Sequence, residues 1–474
     1  MSFYHGRSLG LSRFRRVLTS FLQQEGLAFA DVLAEERIEA VFAEEGACFA
    51  QGEDAIYTPA VTLWAFLSQV LFKGEQRSCL AAVARVLVLL VRMGRASCAL
   101  NSGPYCRARA RLPEAGLRRL TEEIGRGGEA AVPDDSRWHG RSVLLVDGTT
   151  VSMPDTPDNQ DEYPQHNAQK PGLGFPLMRL VVLFSLATAM IQRVAFGPYA
   201  GKEVGEPSLL RQLLDSIAPE TILLADRYYC SYFLLALVLQ GQRDFVTRLH
   251  QLRKLDLRKA QRLSKGDYLV TWRRPQRPDW MDEASYAQVP DALPLRLVWV
   301  QVHEPGFRVE SFWVVTTLLE AHEYPPAEIA ALYHARWLVE LDLRAVKTTL
   351  GFDVLRCQSP AMVRKELWTG LLAYNLIRQT MLQAAQQAGR SPRSLSFAAA
   401  LQTIAASWGL LAVASGERAE RLIAAQLVSL ATPRVGNRPN RVEPRAVKRR
   451  PNPIALLTKP RPEARAELLA AHCG

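Results

Sequence analysis

Ser142-Val143-Leu144-Leu145-Val146-Asp147-Gly148 is an unbroken apolar run of buried-strand length that ends on an aspartate. A strand covered on both faces reads as a continuous rather than an alternating apolar run, as central strands of mixed and parallel sheets do. A second run of the same kind, Thr221 to Ala225, also ends on an aspartate, Asp226. Between them, Met178 to Leu186 and Met190 to Phe196 read as strands and Glu206 to Ile217 as a helix. This order of strands and helices predicts an α/β fold in which two aspartates meet at one end of a sheet, where open α/β sheets bind their ligands. Either aspartate alone would also suit an ordinary turn, since Asp-Gly is a common turn dipeptide.

Outward from this core the texture changes. Residues 8 to 126 carry apolar residues at three- and four-residue spacing, which predicts a helical region within 1–135. There, Arg107, Arg109 and Arg111 alternate and so would spread around a helix; solvated charge and phosphate contact fit them equally. After a helix expected over Ser231 to Gln240, the stretch 244–320 is rich in β-branched and aromatic residues, with strands at Asp267 to Trp272, Leu295 to His303 and Ser311 to Leu318. It reads as an inserted sheet dividing a core of 140–243 and 321–390. Pro325-Pro326 opens a long helical pattern, Ala327 to Leu350, with Gly351 as its stop. A further helix spans Glu366 to Gln387, and 391–474 reads as helical with a basic tail that includes Arg434, Arg438, Arg441, Arg445, Lys448, Arg449, Arg450, Lys459, Arg461 and Arg465.

Composition narrows the class. The chain has 474 residues, long enough for more than one compact unit, and 58 Lys+Arg against 47 Asp+Glu give a net charge of +11, which favours a polyanionic partner but also fits a basic soluble enzyme. Seven cysteines form no C-x-x-C pair, and their odd count argues against a disulfide framework and fits a reducing cytoplasm. Neither the first 24 residues nor the most apolar stretch, Cys79 to Val91, has the continuous apolar character of a signal or a membrane span. The eight histidines show no H-x-x-x-H or H-E-x-x-H spacing, and no phosphate-binding G-x-x-x-x-G-K-[ST] loop is present, so zinc hydrolysis and nucleotide-driven work have no visible ligand set.

The helix at 327–350 adds a third acid. At about 100° per residue Tyr333, Arg336, Glu340 and Lys347 share one face. Such a face is either a salt-bridged, solvated stripe or a phosphate-reading surface beside a carboxylate, and periodicity does not separate these. Carboxylates are the ligands Mg²⁺ requires, and two such ions about 4 Å apart are the common solution for phosphodiester chemistry.

The spacing Tyr333-x2-Arg336-x3-Glu340-x6-Lys347 resembles the signature of bacterial insertion-sequence transposases of family four, and all four positions match. Leu224-Ala225-Asp226-Arg227-Tyr228-Tyr229 and Val146-Asp147-Gly148-Thr149 are similar to that family's two aspartate motifs. Asp226 stands 79 residues after Asp147 and Glu340 114 after Asp226, with room between them for an inserted β region. The resemblance covers roughly residues 143 to 465. It implies an RNase H-like core, a mixed five-stranded sheet flanked by helices and interrupted by the β-rich insertion. It also implies two Mg²⁺ ions, with Mn²⁺ as a substitute, on Asp147, Asp226 and Glu340, and phosphates held by Tyr333, Arg336 and Lys347. The implied partners are double-stranded DNA, as terminal inverted repeats and as target, and a second copy of the chain. A homodimer follows from the need to hold two element ends; no membrane and no nucleotide cofactor enter. The implied location is the bacterial cytoplasm, on the nucleoid when bound to DNA. Some relatives receive a flipped base on an aromatic ring, for which Trp272, Trp299 and Trp313 are candidates, although each also suits a core. Two other readings stay open: a nuclease on the same core, and a transposase-derived DNA-binding regulator. The N-terminal helical region is expected to bind DNA ends.

Overall fold

The computed structural model describes residue 33 and residues 35–49, 55–92, 99–301, 311–411, 417–433 and 456–472. The N-terminal arginines Arg7 to Arg16 and the tail residues Arg434 to Arg450 lie outside them. One nine-stranded sheet organises the chain, in the order β3-β2-β1-β4-β5-β9-β8-β7-β6. Its strands are β1 (Val143–Ser152), β2 (Leu177–Ser185), β3 (Ile191–Pro198), β4 (Ile222–Ala225), β5 (Asp244–Arg248), β6 (Gln261–Ser264), β7 (Asp267–Arg273), β8 (Ala292–Gln301) and β9 (Ser311–Thr316). The central strands β1, β4 and β5 run parallel, and every other pairing is antiparallel.

Two expectations change here. The residues from 244 to 320 do not form a sheet of their own: Asp244–Arg248 pairs with β4 as a fifth core strand, and β6 to β9 continue the same ladder from β5 outward. In addition, β1 does not end at Asp147. It loses its parallel partner after Val146↔Ala225 but runs on to Ser152 against β2, with Asp147↔Val182 and Ser152↔Leu177 in register. The apolar run stops at Val146 because burial on both faces stops there, while the hydrogen-bonded strand does not.

The two-residue period of a strand sorts the core into two layers. Val143, Leu145, Ile222, Leu224 and Val246 point to one face, against the helices Pro59–Leu71, Glu114–Ala130 and Pro360–Gln387. Leu144, Val146, Leu223, Ala225 and Phe245 point to the other, against Glu206–Leu213 and Tyr232–Gln240. The N-terminal helices are therefore part of this packing. Asn375, buried in the Pro360–Gln387 helix, accepts from Ile191 N at 2.8 Å and donates to Thr121 O and Ile191 O at 2.9 Å, joining two helices to the end of β3. Among the described residues no helix is long and apolar enough to cross a membrane, and Cys48, Cys79, Cys106, Cys230 and Cys357 are free thiols.

The helix expected over 327–350 is interrupted. It runs Pro326–Ala335, tightens through Arg336 and Trp337, resumes at Leu338–Arg344, and widens into a π-helical turn at Ala345–Thr349. Four amides record the tightening: Arg336 N, Trp337 N, Val339 N and Glu340 N each donate three residues back, to Tyr333 O, His334 O, Arg336 O and Trp337 O. Gly351, at φ +76°, ends the segment in a conformation that a side chain would strain.

Candidate active site

Strand register brings Asp147 and Asp226 together. Because Val146 pairs with Ala225 across the parallel ladder, the two aspartates are the next residues on adjacent strands. They fall on the same face of the sheet, the face of Leu145 and Leu224. Each carboxylate uses Oδ1 for a backbone amide: Asp147 accepts from Gly148 N at 2.8 Å, and Asp226 from Tyr228 N at 2.7 Å, capping the turn Arg227–Tyr229. Thr247 Oγ1, on β5, donates to Asp226 O at 2.6 Å and ties that turn to the next strand. Neither Oδ2 has a hydrogen bond among the described residues.

Burial pushes the Asp147 carboxyl up to about 7; the Gly148 amide and Arg336 oppose the shift, while Asp226 and Glu206 add to it. Desolvation beside two other acids disfavours the charged form of this carboxyl, and a bound cation would favour it.

Glu340 lies elsewhere in the arrangement. Its Oε1 is 3.3 Å from Arg336 Nη2, and its side chain is 41% exposed. Arg336, more buried, pairs with Glu340 and acts electrostatically on Asp147 as well. Among the described residues no three His, Cys, Asp or Glu side chains form a ready metal-binding group. The structure thus joins the two aspartates and holds the glutamate on an arginine.

Tyr333 is buried, with its ring edge-on to Phe312 at 5.3 Å, and burial pushes its phenol up to about 12 against the pull of Arg336. Lys347 lies in the π-helical turn and makes no ion pair among the described residues. The helical wheel put these four side chains on one continuous face. Arg336 pairs with Glu340 and acts on Tyr333, so these three stay together through the tightened segment, while Lys347 follows in a π-helical turn that advances more slowly per residue than an α-helix.

Two residues at this edge were not anticipated. Arg248 follows Thr247, the partner of Ala225, and so stands beside Asp226; its guanidinium lies over the Phe312 ring at 4.9 Å and acts on Tyr333. Recognising β5 as a core strand would have revealed it. Glu206, the first residue of its helix, approaches Asp147 and Asp226 from the other face of the sheet. Of the tryptophans, Trp272 is buried beneath the Arg253 guanidinium, whereas Trp299 and Trp313 are a cross-strand pair with centroids 4.9 Å apart, Trp299 being 39% exposed.

Comparison with known proteins decides the family. Residues 138–376 match the transposase DDE domain, a span that contains all six sequence-predicted residues. The transposase InsG of insertion sequence element IS4 from Escherichia coli K12 is 31% identical over 362 residues, 73% of this chain and 76% of that protein. The chain belongs to the IS4 family of DDE transposases. A putative transposase InsZ from the same organism is 30% identical over 131 residues, 27% of this transposase and 42% of the relative. Among solved structures, a piggyBac transposase synaptic complex with hairpin DNA superposes at a TM-score of 0.42, with 10% identity over 89% of this chain and 85% of the other. The protein is therefore a DNA transposase, an enzyme of a family that works with divalent metal ions.

Proposed function

We propose that this transposase excises and integrates an insertion-sequence element from an RNase H-like core, with Asp147, Asp226 and Glu340 as the carboxylates that hold two Mg²⁺ ions. The core is the part of the sheet ordered β3-β2-β1-β4-β5, in which β1, β4 and β5 are parallel and β2 is antiparallel. The observation that carries the reading is the register: two aspartates, each following the last pair of the β1–β4 ladder and each with no hydrogen bond to Oδ2 among the described residues. Their oxygen donors and the uncompensated negative charge around Asp147 suit a hard divalent cation. When bound, such ions would supply Lewis acidity to the attacking and leaving oxygens of a phosphodiester.

The chain's own groups do the rest. Arg336 pairs with Glu340 and faces Asp147; a substrate phosphate offers its forked donors a stronger bidentate partner. Moving onto that phosphate, Arg336 would release Glu340 towards the aspartates. Tyr333, its proton held by burial, donates a hydrogen bond, and Lys347 and Arg248 add positive charge along the strand. In the first step water attacks phosphorus and the 3′-oxygen leaves as a hydroxyl. That 3′-hydroxyl then attacks a second phosphodiester; one such bond forms as another breaks, so no nucleotide cofactor is needed. Holding two terminal inverted repeats for one event requires two copies of the chain.

The test is Mg²⁺-dependent cleavage and joining of labelled DNA carrying the element's end. The native protein should yield joined product and Glu340→Gln none. Cleavage without joining would favour a nuclease, and binding without cleavage in both proteins a DNA-binding regulator.

A further inference from the structure

Glu206 touches both aspartate motifs. On one side its carboxyl group fills the space in which a side chain on Gly148 would begin: a Cβ built there would lie 2.1 Å from Glu206 Cδ and 2.3 and 2.5 Å from its two oxygens. The glycine after Asp147 is thus required by close approach, since its own backbone is extended strand. On the other side, the Tyr229 hydroxyl, three residues after Asp226, donates to Glu206 Oε2 at 3.2 Å. Tyr229 is buried beside three carboxylates, which keeps its phenol protonated and therefore a donor.

Shape and hydrogen bonding do not explain the charge. Glu206 forms no ion pair among the described residues. The cation that acts on it, Arg179, donates through Nη1 to Val204 O at 2.9 Å and lies over the Tyr199 ring at 4.3 Å. A glutamine would fill the same space against Gly148 and accept the same bond from Tyr229, without the cost of desolvating a charge next to Asp226. What the carboxylate adds is negative potential at the edge where Asp147 and Asp226 converge.

We propose that Glu206 is an outer carboxylate of the divalent-metal centre, bracing the Asp147 strand against the turn that Asp226 caps and raising the affinity of the Asp147–Asp226 pair for a divalent cation. It is a positioning residue, not a catalytic one. The inference rests on the reading of Asp147 and Asp226 as metal ligands.

The experiment is calorimetric titration of the full chain with Mn²⁺ in the absence of DNA, beside a thermal melt in chelator. Outer groups of this kind typically change metal affinity by about 10- to 100-fold, so Glu206→Gln should raise the Mn²⁺ dissociation constant about tenfold while its melt stays cooperative. A merely structural residue, replaced by its isostere, would leave the constant within about twofold of native, and that result overturns the proposal. Should Glu206→Gln lose its cooperative melt, Tyr229→Phe decides, because it removes only the hydroxyl that pins the carboxylate. A loss of affinity of about threefold or more supports the proposal and native affinity overturns it. Asp147→Asn separates the two levels. If it too binds Mn²⁺ as the native chain does, the metal-site reading has failed and this inference with it; if it alone loses affinity, only the role of Glu206 has failed.

Discussion

Replacing Asp147 by asparagine should make the metal-free protein more stable at alkaline pH. In the folded chain burial raises this carboxyl from the ordinary aspartate value of 3.8 to about 7. A group whose folded pKa is raised favours folding below its unfolded pKa, and that contribution is lost as pH rises through the folded pKa. The window therefore runs from about pH 4 to about pH 7, and above it the native state holds a desolvated charge that the unfolded state does not. A difference of roughly 3 units at about 1.4 kcal/mol each gives about 4 kcal/mol as an upper figure at pH 8. Asparagine keeps the size and removes the titration. In urea unfolding with chelator, Asp147→Asn should gain several kcal/mol over the native protein at pH 8 and little at about pH 4, an effect of order 1.4 kcal/mol per unit of pH across the window. Adding Mn²⁺ should stabilise the native protein and not the variant. Equal gains at both pH values, or a variant less stable at pH 8, would refute the claim that Asp147 is a carboxylate strained by burial for want of a cation.

Three other outcomes follow from particular contacts. Gly148→Ala places a Cβ against the Glu206 carboxyl and should cost about 1–3 kcal/mol in chemical unfolding, much of it recovered in a Gly148→Ala/Glu206→Ala double variant. Arg336→Lys keeps the charge but not the fork; single-turnover cleavage of an element end should fall by about 10²-fold or more, with a smaller loss in DNA affinity measured in chelator. Asp342, 1% exposed, bridges Arg378 at 3.0 Å and Arg393 at 2.9 Å beneath the helix that carries Glu340. Asp342→Ala leaves two guanidinium groups without their buried partner and should destabilise the fold by about 3–5 kcal/mol, read from a denaturant midpoint.

The parts of this site that were legible in the sequence are those set by local composition. Val143 to Val146 and Ile222 to Ala225 are apolar on both faces because each lies at the centre of the sheet, and their aspartates follow at once. The tyrosine, arginine, glutamate and lysine spacing was equally visible. What escaped depends on pairing over long distances or on backbone hydrogen bonds that side-chain periodicity does not report. Nothing local in Asp244–Arg248 says whether it joins β4 or begins a separate sheet, and Arg248 was missed with it. The amides of Arg336, Trp337, Val339 and Glu340 that bond three residues back, and the π-helical turn after them, change the backbone's turn per residue without altering the apolar spacing from which a helix is read. Glu206 enters the sequence only as the first residue of a helix, and its contact with Gly148 joins residues far apart in the chain. The i,i+4 spacing of Arg336 and Glu340 allowed the pairing seen here, but did not decide between it and a phosphate-reading face.

The most direct test of the central claim is a crystal structure of the protein with Mn²⁺ and a cleaved element end, with the ions located by anomalous scattering. The account predicts manganese bound by Asp147 and Asp226, Arg336 on a phosphate, and Glu340 turned from Arg336 to join the aspartates. Manganese away from both aspartates, or Glu340 still paired with Arg336 in the DNA-bound state, would contradict it.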